Sequence, residues 1–324
     1  MKRQQLIIYP NCSRGGVTSV IRARAVANPE VQFQAIFFRD HGGRGSFDGV
    51  PNLSLRIVRE DRAKFYLEYL TSMAEYDEIR VLSQPTIANH LSKNDSNAII
   101  YEFHSSDMGV VESELKQLDL DRLAEIVVPS EDMASQISPR LKPRLRARLR
   151  VEENLIDTQN FNSVLEPRFF PELQSGREMA KKPVVWVGRF DKGKGVAYLP
   201  RLIAKLPNKY EAHVVLSLEN APGRAGEFLY ECDAMGVRDR VKLYMNLAPA
   251  EIADLYRSAA AAGGWYVSTS LLESFGYAVR EAQACGLRVA AFELPVFEDL
   301  YGPDMIHAPV GDVMGLAEQI LAKN

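Results

Sequence analysis

The chain has 324 residues, 46% hydrophobic and 25% charged, which is the make-up of a globular protein and, at about 150 residues per domain, suggests two domains with a core each. Its formal net charge of -3 excludes a global attraction to nucleic acid or anionic membrane, so an anionic partner must be met by a local patch. Cys12, Cys232 and Cys285, odd in number and far apart, make neither a disulfide framework nor a Cys-x-x-Cys metal site and point to a reducing cytoplasm. The apolar run in MKRQQLIIYPNCSRGG stops at Pro10, too early for a signal peptide, and no apolar run anywhere is long enough to span a membrane.

In chain order, QLIIYP (5–10), QFQAIFF (32–38), LSLRIV (53–58), EIRVLSQ (78–84), NAIIYEFH (97–104) and EIVVPS (125–130) read as strands, with helical segments between most of them. That alternation predicts a parallel sheet with crossover helices. RLKPRLRARLRV (140–151) carries Arg140, Lys142, Arg144, Arg146, Arg148 and Arg150 without an acid, and its alternation with Leu145, Ala147 and Leu149 predicts a strand or arm with one basic face. A Pro- and charge-rich passage from Glu166 to Pro183 interrupts the pattern. It restarts with VVWVGR (184–189), EAHVVLSL (211–218), RVKLYMN (240–246), GGWYVSTS (263–270), LRVAAFEL (287–294) and DMIHAP (304–309). We therefore expect two α/β domains, 1–165 and 166–324. Doubly wound sheets bind ligands beyond the carboxyl ends of their strands, so the loops that follow strands are where function is sought.

Two such loops carry chemistry. VGRFDKGKGV (187–196) is one residue short of a phosphate-binding P-loop, because Gly195 stands where that motif needs the Ser or Thr hydroxyl that holds Mg²⁺. In STSLLESFGYAVREAQACGLRVAAFE (268–293) a strand ends at Thr269, a loop carries Glu273, and a helix opened by Gly276 stops at Gly286. The N–H groups of Phe275, Gly276 and Tyr277 at the helix start predict a phosphate nest assisted by the helix dipole. Glu281, about one turn further at 1.5 Å per residue, suits ribose hydroxyls, and Glu273, ahead of the nest, can reach what hangs beyond the phosphates.

Glu273 and Glu281 form an E-x₇-E element, and ESFGYAVREAQACGLRV resembles the E-G-F-G-x₄-E-A-x-A-x-G-x-P-V segment of glycosyltransferase family 4, retaining enzymes of GT-B fold. GRFDKGKG resembles that family's G-R-x₄-K-G. CSRGGVTSV resembles its double-glycine loop (Gly15, Gly16), YEFHSSD its strand ending in a sugar-contacting His (His104), and RVEENLIDTQNF the strand leading into its second domain. The likeness covers nearly the whole chain in order. It implies two Rossmann-like, doubly wound parallel-sheet domains facing a cleft. It also implies transfer of a hexose-type sugar, with retention, from a nucleoside diphosphate donor, expected to be a UDP-sugar, to a glycan, lipid-linked or phosphate-bearing acceptor. No metal and no cofactor besides the donor is implied. By the resemblance, Arg189, Lys194, Glu273 and His104 form the catalytic set: Arg189 and Lys194 hold the diphosphate, Glu273 the sugar hydroxyls and His104 the far side of the sugar. Gly15, Gly16, Phe275, Gly276, Tyr277, Ala278 and Glu281 form the donor-binding set. Arg288 in place of the family's Pro, Ser274 in place of its Gly, and Met245-Asn246 where Gly is usual near the base leave the base and donor open. The chain ends at Asn324, leaving little length for the C-terminal helix that crosses back in GT-B enzymes.

Each site has a plainer reading. An Arg-x₄-Lys pair also fits a solvated rim, and His104 also fits a structural hydrogen-bonder. Asp119 and Asp121 in LDLD match the metal pair of the other large glycosyltransferase fold but lie in a charged amphipathic stretch and are expected at the surface. Cys12 is expected to be packing. The basic run 140–151 is either a solvated face or a docking face for anionic headgroups or a phosphate-bearing polymer, which would place a cytoplasmic protein at the inner membrane face. Nucleic acid is not an expected partner. RDHGGRGSFDG (39–49) suits a mobile acceptor-side loop. A GT-B sugar-nucleotide epimerase and an idle sugar-nucleotide or glycan binder are the alternatives. A dehydrogenase is disfavoured because no G-x-G-x-x-G follows the first strand.

Overall fold

The computed structural model describes residues 3–94, 96–168, 170, 173, 181–216, 223–302 and 304–323. The passage from Glu166 to Pro183 lies largely outside the described residues, as do Ser217 and Leu218 of the predicted strand EAHVVLSL. The chain forms two compact units, Met1–Asp157 and Thr158–Asn324.

The first unit runs β1 (Gln4–Ile8), β2 (Asn11–Cys12), α1 (Gly16–Ala27), β3 (Gln32–Phe37), β4 (Arg39–Asp40), β5 (Leu53–Ile57), α2 (Ala63–Met73), β6 (Glu78–Leu82), α3 (Pro85–Leu91), β7 (Ile99–Glu102), α4 (Met108–Gln117), β8 (Glu125–Val128), α5 (Glu131–Ile137), α6 (Pro143–Arg146) and β9 (Leu149–Val151). Seven strands form one sheet in the order β5-β3-β1-β6-β7-β8-β9, every pairing parallel. Alternate strand residues face opposite layers: Leu6 and Ile8 pack with Ala63, Ile87, Val111 and Met133, Ile7 with Ile21 and Ala25 of α1. The order reverses between β1 and β6, so the loops carrying Gly15 and Ser83 leave the carboxyl edge on either side of the switch point.

On the α1 side of β6 and β7 an ionic cluster is buried next to the apolar core. Arg24 reaches Glu102 at 3.0 Å, and Arg80 reaches Glu102 at 2.7 Å and Glu152 at 3.1 Å. Burial by itself would raise the Glu102 pKa; Arg24, His104 and Arg80 around it outweigh that and hold the carboxyl well below its ordinary range.

Two expectations fail in this unit. The run 140–151 is not one strand with a basic face: Pro143 starts the short helix α6, and only Leu149–Val151 joins the sheet. Three of its arginines meet acids, Arg140 with Glu112 (2.9 Å), Arg144 with Asp121 (2.7 Å), and Arg150 with Glu125 and Glu152 (both 2.9 Å), while Arg146 and Arg148 donate to backbone carbonyls. The loop 39–49 is pinned rather than loose. β4 pairs with β2, Arg22 donates to the carbonyls of Ser46 (2.9 Å) and Asp48 (2.8 Å), and Phe47 is buried.

The second unit runs β10 (Lys182–Val187), α7 (Tyr198–Lys205), β11 (Tyr210–Leu216), α8 (Gly223–Ala234), β12 (Val241–Met245), α9 (Pro249–Ala261), β13 (Trp265–Ser268), α10 (Tyr277–Ala284), β14 (Arg288–Phe292), β15 (Met305–Ala308) and α11 (Val313–Ala322). Its six-stranded sheet has the order β12-β11-β10-β13-β14-β15, again all parallel, with the switch between β10 and β13. Residues 158–165, expected with the first half, belong here. Arg257 donates to the Asn160 carbonyl (2.8 Å), and the buried Asp254 accepts from the N–H of Arg168 (2.7 Å).

All three cysteines are buried. Burial pushes the Cys232 thiol to about 11 and Cys285 to about 12, which keeps both protonated at neutral pH. At pH 8 the folded protein should therefore be inert to a thiol-disulfide reagent such as DTNB, with all three thiols titrating after denaturation. Rapid reaction of any thiol in the folded state would contradict this packing.

Candidate active site

The loop after β10 is built by its own polar atoms. Asp191 accepts from the N–H of Lys194 (3.0 Å), which closes a tight turn over Lys192–Lys194. Gly195 follows with φ +58°, and a Cβ there would lie 2.1 Å from the carbonyl oxygen of Thr269, at the end of β13. Three more bonds join the loops that leave these neighbouring strands: Thr269 Oγ1 donates to the Lys194 carbonyl (3.1 Å), and the N–H groups of Leu271 (2.7 Å) and Leu272 (3.4 Å) both donate to the Gly193 carbonyl. Thr269 Oγ1 also accepts from the buried Trp186 indole (3.1 Å). The P-loop likeness thus ends on a physical fact, since position 195 has no room for the serine or threonine that motif needs.

The stitched loops bring Lys194 and Glu273 together, Nζ to Oε1 at 2.5 Å, and Ser270 Oγ donates to the same oxygen at 2.8 Å. Oε2 of Glu273 has no hydrogen-bond partner among the described residues. Arg189, in the same loop, turns to Asp191 at 3.2 Å with its side chain 61% exposed.

Gly276 caps α10 at φ +78°, and a Cβ there would meet the Phe297 ring at 2.2 Å, so both contacts demand glycine. The N–H groups of Phe275, Gly276 and Ala278 have no acceptor among the described residues, as at a helix start prepared for an anion. Arg280 holds this corner, its guanidinium 4.4 Å from the centre of the Phe275 ring and 3.1 Å from Asp299. Glu281 is buried, 8% exposed. Desolvation first, then the charge of Glu281 among others, raises the Tyr256 and Tyr266 hydroxyls well above their ordinary pKa. The Leu287 N–H returns to the Ala282 carbonyl (3.0 Å) and Gly286 sits at φ +78°, the glycine helix end that the sequence predicts. Asn246, where the resemblance expected Gly, has φ +58°, a conformation that Asn tolerates.

Arg189, Lys194, Glu273, Phe275–Ala278 and Glu281 thus share the carboxyl edge of one sheet. Gly15, Gly16 and His104 belong to the other unit. Gly15 caps α1 without a side-chain partner, and His104 turns Nε2 onto Glu102 at 3.0 Å. Asp121 is taken by Arg144 and Asp119 by Arg122 at 3.1 Å. Sequence reasoning missed Asp191, Thr269 and Ser270. Their signal was present, a short polar side chain one to three residues after a strand end or before a turn.

Residues 172–322 match the family model described as Glycosyl transferases group 1. Comparison with curated proteins finds no match. Among solved structures, the chain is similar to Anabaena Alr3699/HepE in complex with UDP and glucose, at 16% identity and TM-score 0.78, covering 99% of this chain and 89% of that one. It is similar to sucrose-phosphate synthase from Thermosynechococcus elongatus at 18% identity and TM-score 0.76 (99% and 90% covered). It is also similar to the catalytic domain of Starch Synthase IV from Arabidopsis thaliana at 14% identity and TM-score 0.73 (99% and 92% covered). The chain has the α/β GT-B fold of these structures, and its second unit carries the group 1 glycosyl transferase pattern.

Gly195→Ser, which would complete the P-loop spelling, should cost about 2 kcal/mol or more of stability, through left-handed strain and the clash with Thr269. Denaturant unfolding measures it, and a variant as stable as the parent would show that the two loops do not meet as described.

Proposed function

We propose that the protein is a retaining glycosyltransferase that moves a hexose-type sugar from a nucleoside diphosphate donor, a UDP-sugar, to a hydroxyl of a glycan, lipid-linked or phosphate-bearing acceptor, without a metal ion. One observation carries the reading: the strand-end loops around Gly195 and Thr269 are locked so that a lysine and a half-satisfied glutamate stand beside an open helix start. Similar folds bound to UDP and UDP-glucose support the donor class.

In this reading the diphosphate lies on the N–H groups of 275–278, with Lys194 and Arg189 on its oxygens. Charge-assisted bonds of about 1.5–3 kcal/mol each then grow as the bond from the anomeric carbon to the phosphate oxygen breaks. Glu273 Oε2 accepts a donor-sugar hydroxyl, and Oε1 stays with Lys194 and Ser270. Glu281 takes the ribose hydroxyls, and His104, Gly15 and Gly16 line the acceptor-side unit. The acceptor oxygen attacks on the face the diphosphate leaves, and its proton passes to the departing phosphate oxygen. No protein nucleophile is required, and the positive charge a metal would supply comes from Lys194, Arg189 and the helix start. At rest each of these cations has its own carboxylate, so donor binding exchanges or shares partners.

Lys194→Ala should lose at least about tenfold in donor turnover, about 1.4 kcal/mol of transition-state stabilisation, and turnover of the unmodified enzyme should persist in excess EDTA. Activity that vanishes with EDTA and returns with Mg²⁺ or Mn²⁺ would refute the metal-free reading. Glu281→Ala should weaken binding of the bare nucleoside diphosphate, whereas Glu273→Ala should spare it and slow turnover of the whole donor. Calorimetry showing equal losses of diphosphate affinity in both would overturn these roles.

A further inference from the structure

One carboxylate joins two cations of the loop after β10. Asp191 Oδ1 accepts the N–H of Lys194 at 3.0 Å, and Oδ2 pairs with Arg189 Nη2 at 3.2 Å. The backbone ties the same three residues, since the Asp191 N–H donates to the Arg189 carbonyl (2.9 Å) and the Lys194 N–H also reaches the Asp191 carbonyl (3.3 Å). The two side-chain oxygens ask for different chemistry. The Oδ1 bond caps a turn, and asparagine caps as well as aspartate. The Oδ2 contact is an ion pair, and it needs the charge.

That charge runs against the rest of the loop. Asp191 is the only acid in VGRFDKGKGV, beside Arg189, Lys192 and Lys194, and a carboxylate in a segment that is to hold a diphosphate repels it. Asparagine would keep the turn without this repulsion, so the charge has a task apart from the cap. Its partner shows which. The Arg189 side chain is 61% exposed and that of Asp191 34%, so the pair opens at little cost. Lys194, 24% exposed, is held instead at 2.5 Å by Glu273, itself 13% exposed. Arg189 is the cation that can pass between a carboxylate and a phosphate.

We propose that Asp191 is a positioning and release residue of the diphosphate site: Oδ1 keeps Lys194 in place, and Oδ2 takes Arg189 back as the nucleoside diphosphate departs. This role rests on the sugar-transfer reading and extends it from donor binding to product release. The diphosphate of the donor is esterified at both ends. That of the product is esterified at one, and once the proton from the acceptor has passed on to water it carries one more negative charge. Product therefore holds Lys194 and Arg189 harder than donor does. A carboxylate within reach of Arg189 offsets that added grip at the step where it would slow turnover.

UDP affinity by calorimetry and UDP-glucose turnover, measured on the whole protein for the parent, Asp191→Asn and Asp191→Ala, test this role. Asp191→Asn keeps the cap and loses the charge. It should bind UDP about threefold or more tighter at low salt, with the gain fading at about 0.5 M salt. Inhibition by UDP should strengthen in step, with kcat within about threefold of the parent. Asp191→Ala loses the cap too and should turn over about tenfold more slowly than Asp191→Asn, because Lys194 is no longer held. UDP binding by Asp191→Asn no tighter than by the parent would overturn the release role, and equal turnover by the two variants would overturn the positioning role. A parent that binds no UDP would instead overturn the sugar-transfer reading, and this role with it.

Discussion

The α-carbon of residue 195 approaches the Thr269 carbonyl oxygen so closely that a side chain has no place between them. The rest of the second unit's strand-end geometry depends on that approach. β10 and β13 are hydrogen-bonded neighbours at the point where the strand order reverses, and parallel neighbours deliver their following loops to the same edge. Proximity alone would leave two wandering loops. The missing Cβ lets them close to contact distance, and the bonds from Thr269 and Leu271 then hold them there. Lys194 is placed by this closure rather than by its own helix, and Glu273 by the short run Ser270, Leu271 and Leu272 that separates it from Thr269.

Charge at the strand-end loops of the second unit is arranged differently from the network buried in the first. In the second, Arg189 lies in solvent beside Asp191 while Lys194 and Arg280 are mostly buried, each beside one acid, so only the Arg189 pair is of the solvated kind that is cheap to exchange. In the first, Arg24, Arg80 and Glu102 are buried together. Removing one member would strand a charge in a medium that solvates it poorly, so this network is structural even where it touches His104. A histidine whose Nε2 is given to such a network is oriented by it, whatever else the ring meets.

Much of this was legible in the sequence, because two periodicities carried it. β-branched runs located six of the seven strands of the first sheet and all six of the second to within a few residues, and Gly276 and Gly286 marked α10 because both of its ends take the positive φ that favours glycine. What was not legible depended on partners distant in the chain. The alternation of arginines through 140–151 looks like one charged face until Glu112, Asp121 and Glu125 arrive from other elements. The glycines and polar residues of 39–49 read as a loose loop, because nothing local announces that Arg22 and β2 will hold it. Gly195 is the mixed case: the sequence shows that a hydroxyl is missing, and only the position of Thr269 explains why it has to be.

The order of the strands in the second sheet has a consequence for the chain as it leaves the ribosome. β10, β11 and β12 follow one another and can pair as soon as they emerge, but the other edge of β10 waits for β13, whose residues are made some twenty residues after β12 ends. Until then β10 offers an unpaired edge, the kind of surface that invites wrong partners. Lys194 meanwhile waits for Glu273, 79 positions away. Synthesis therefore completes the sheet's centre after one of its edges, and the loops at that centre acquire their shape only once β13 and the loop that follows it have been made.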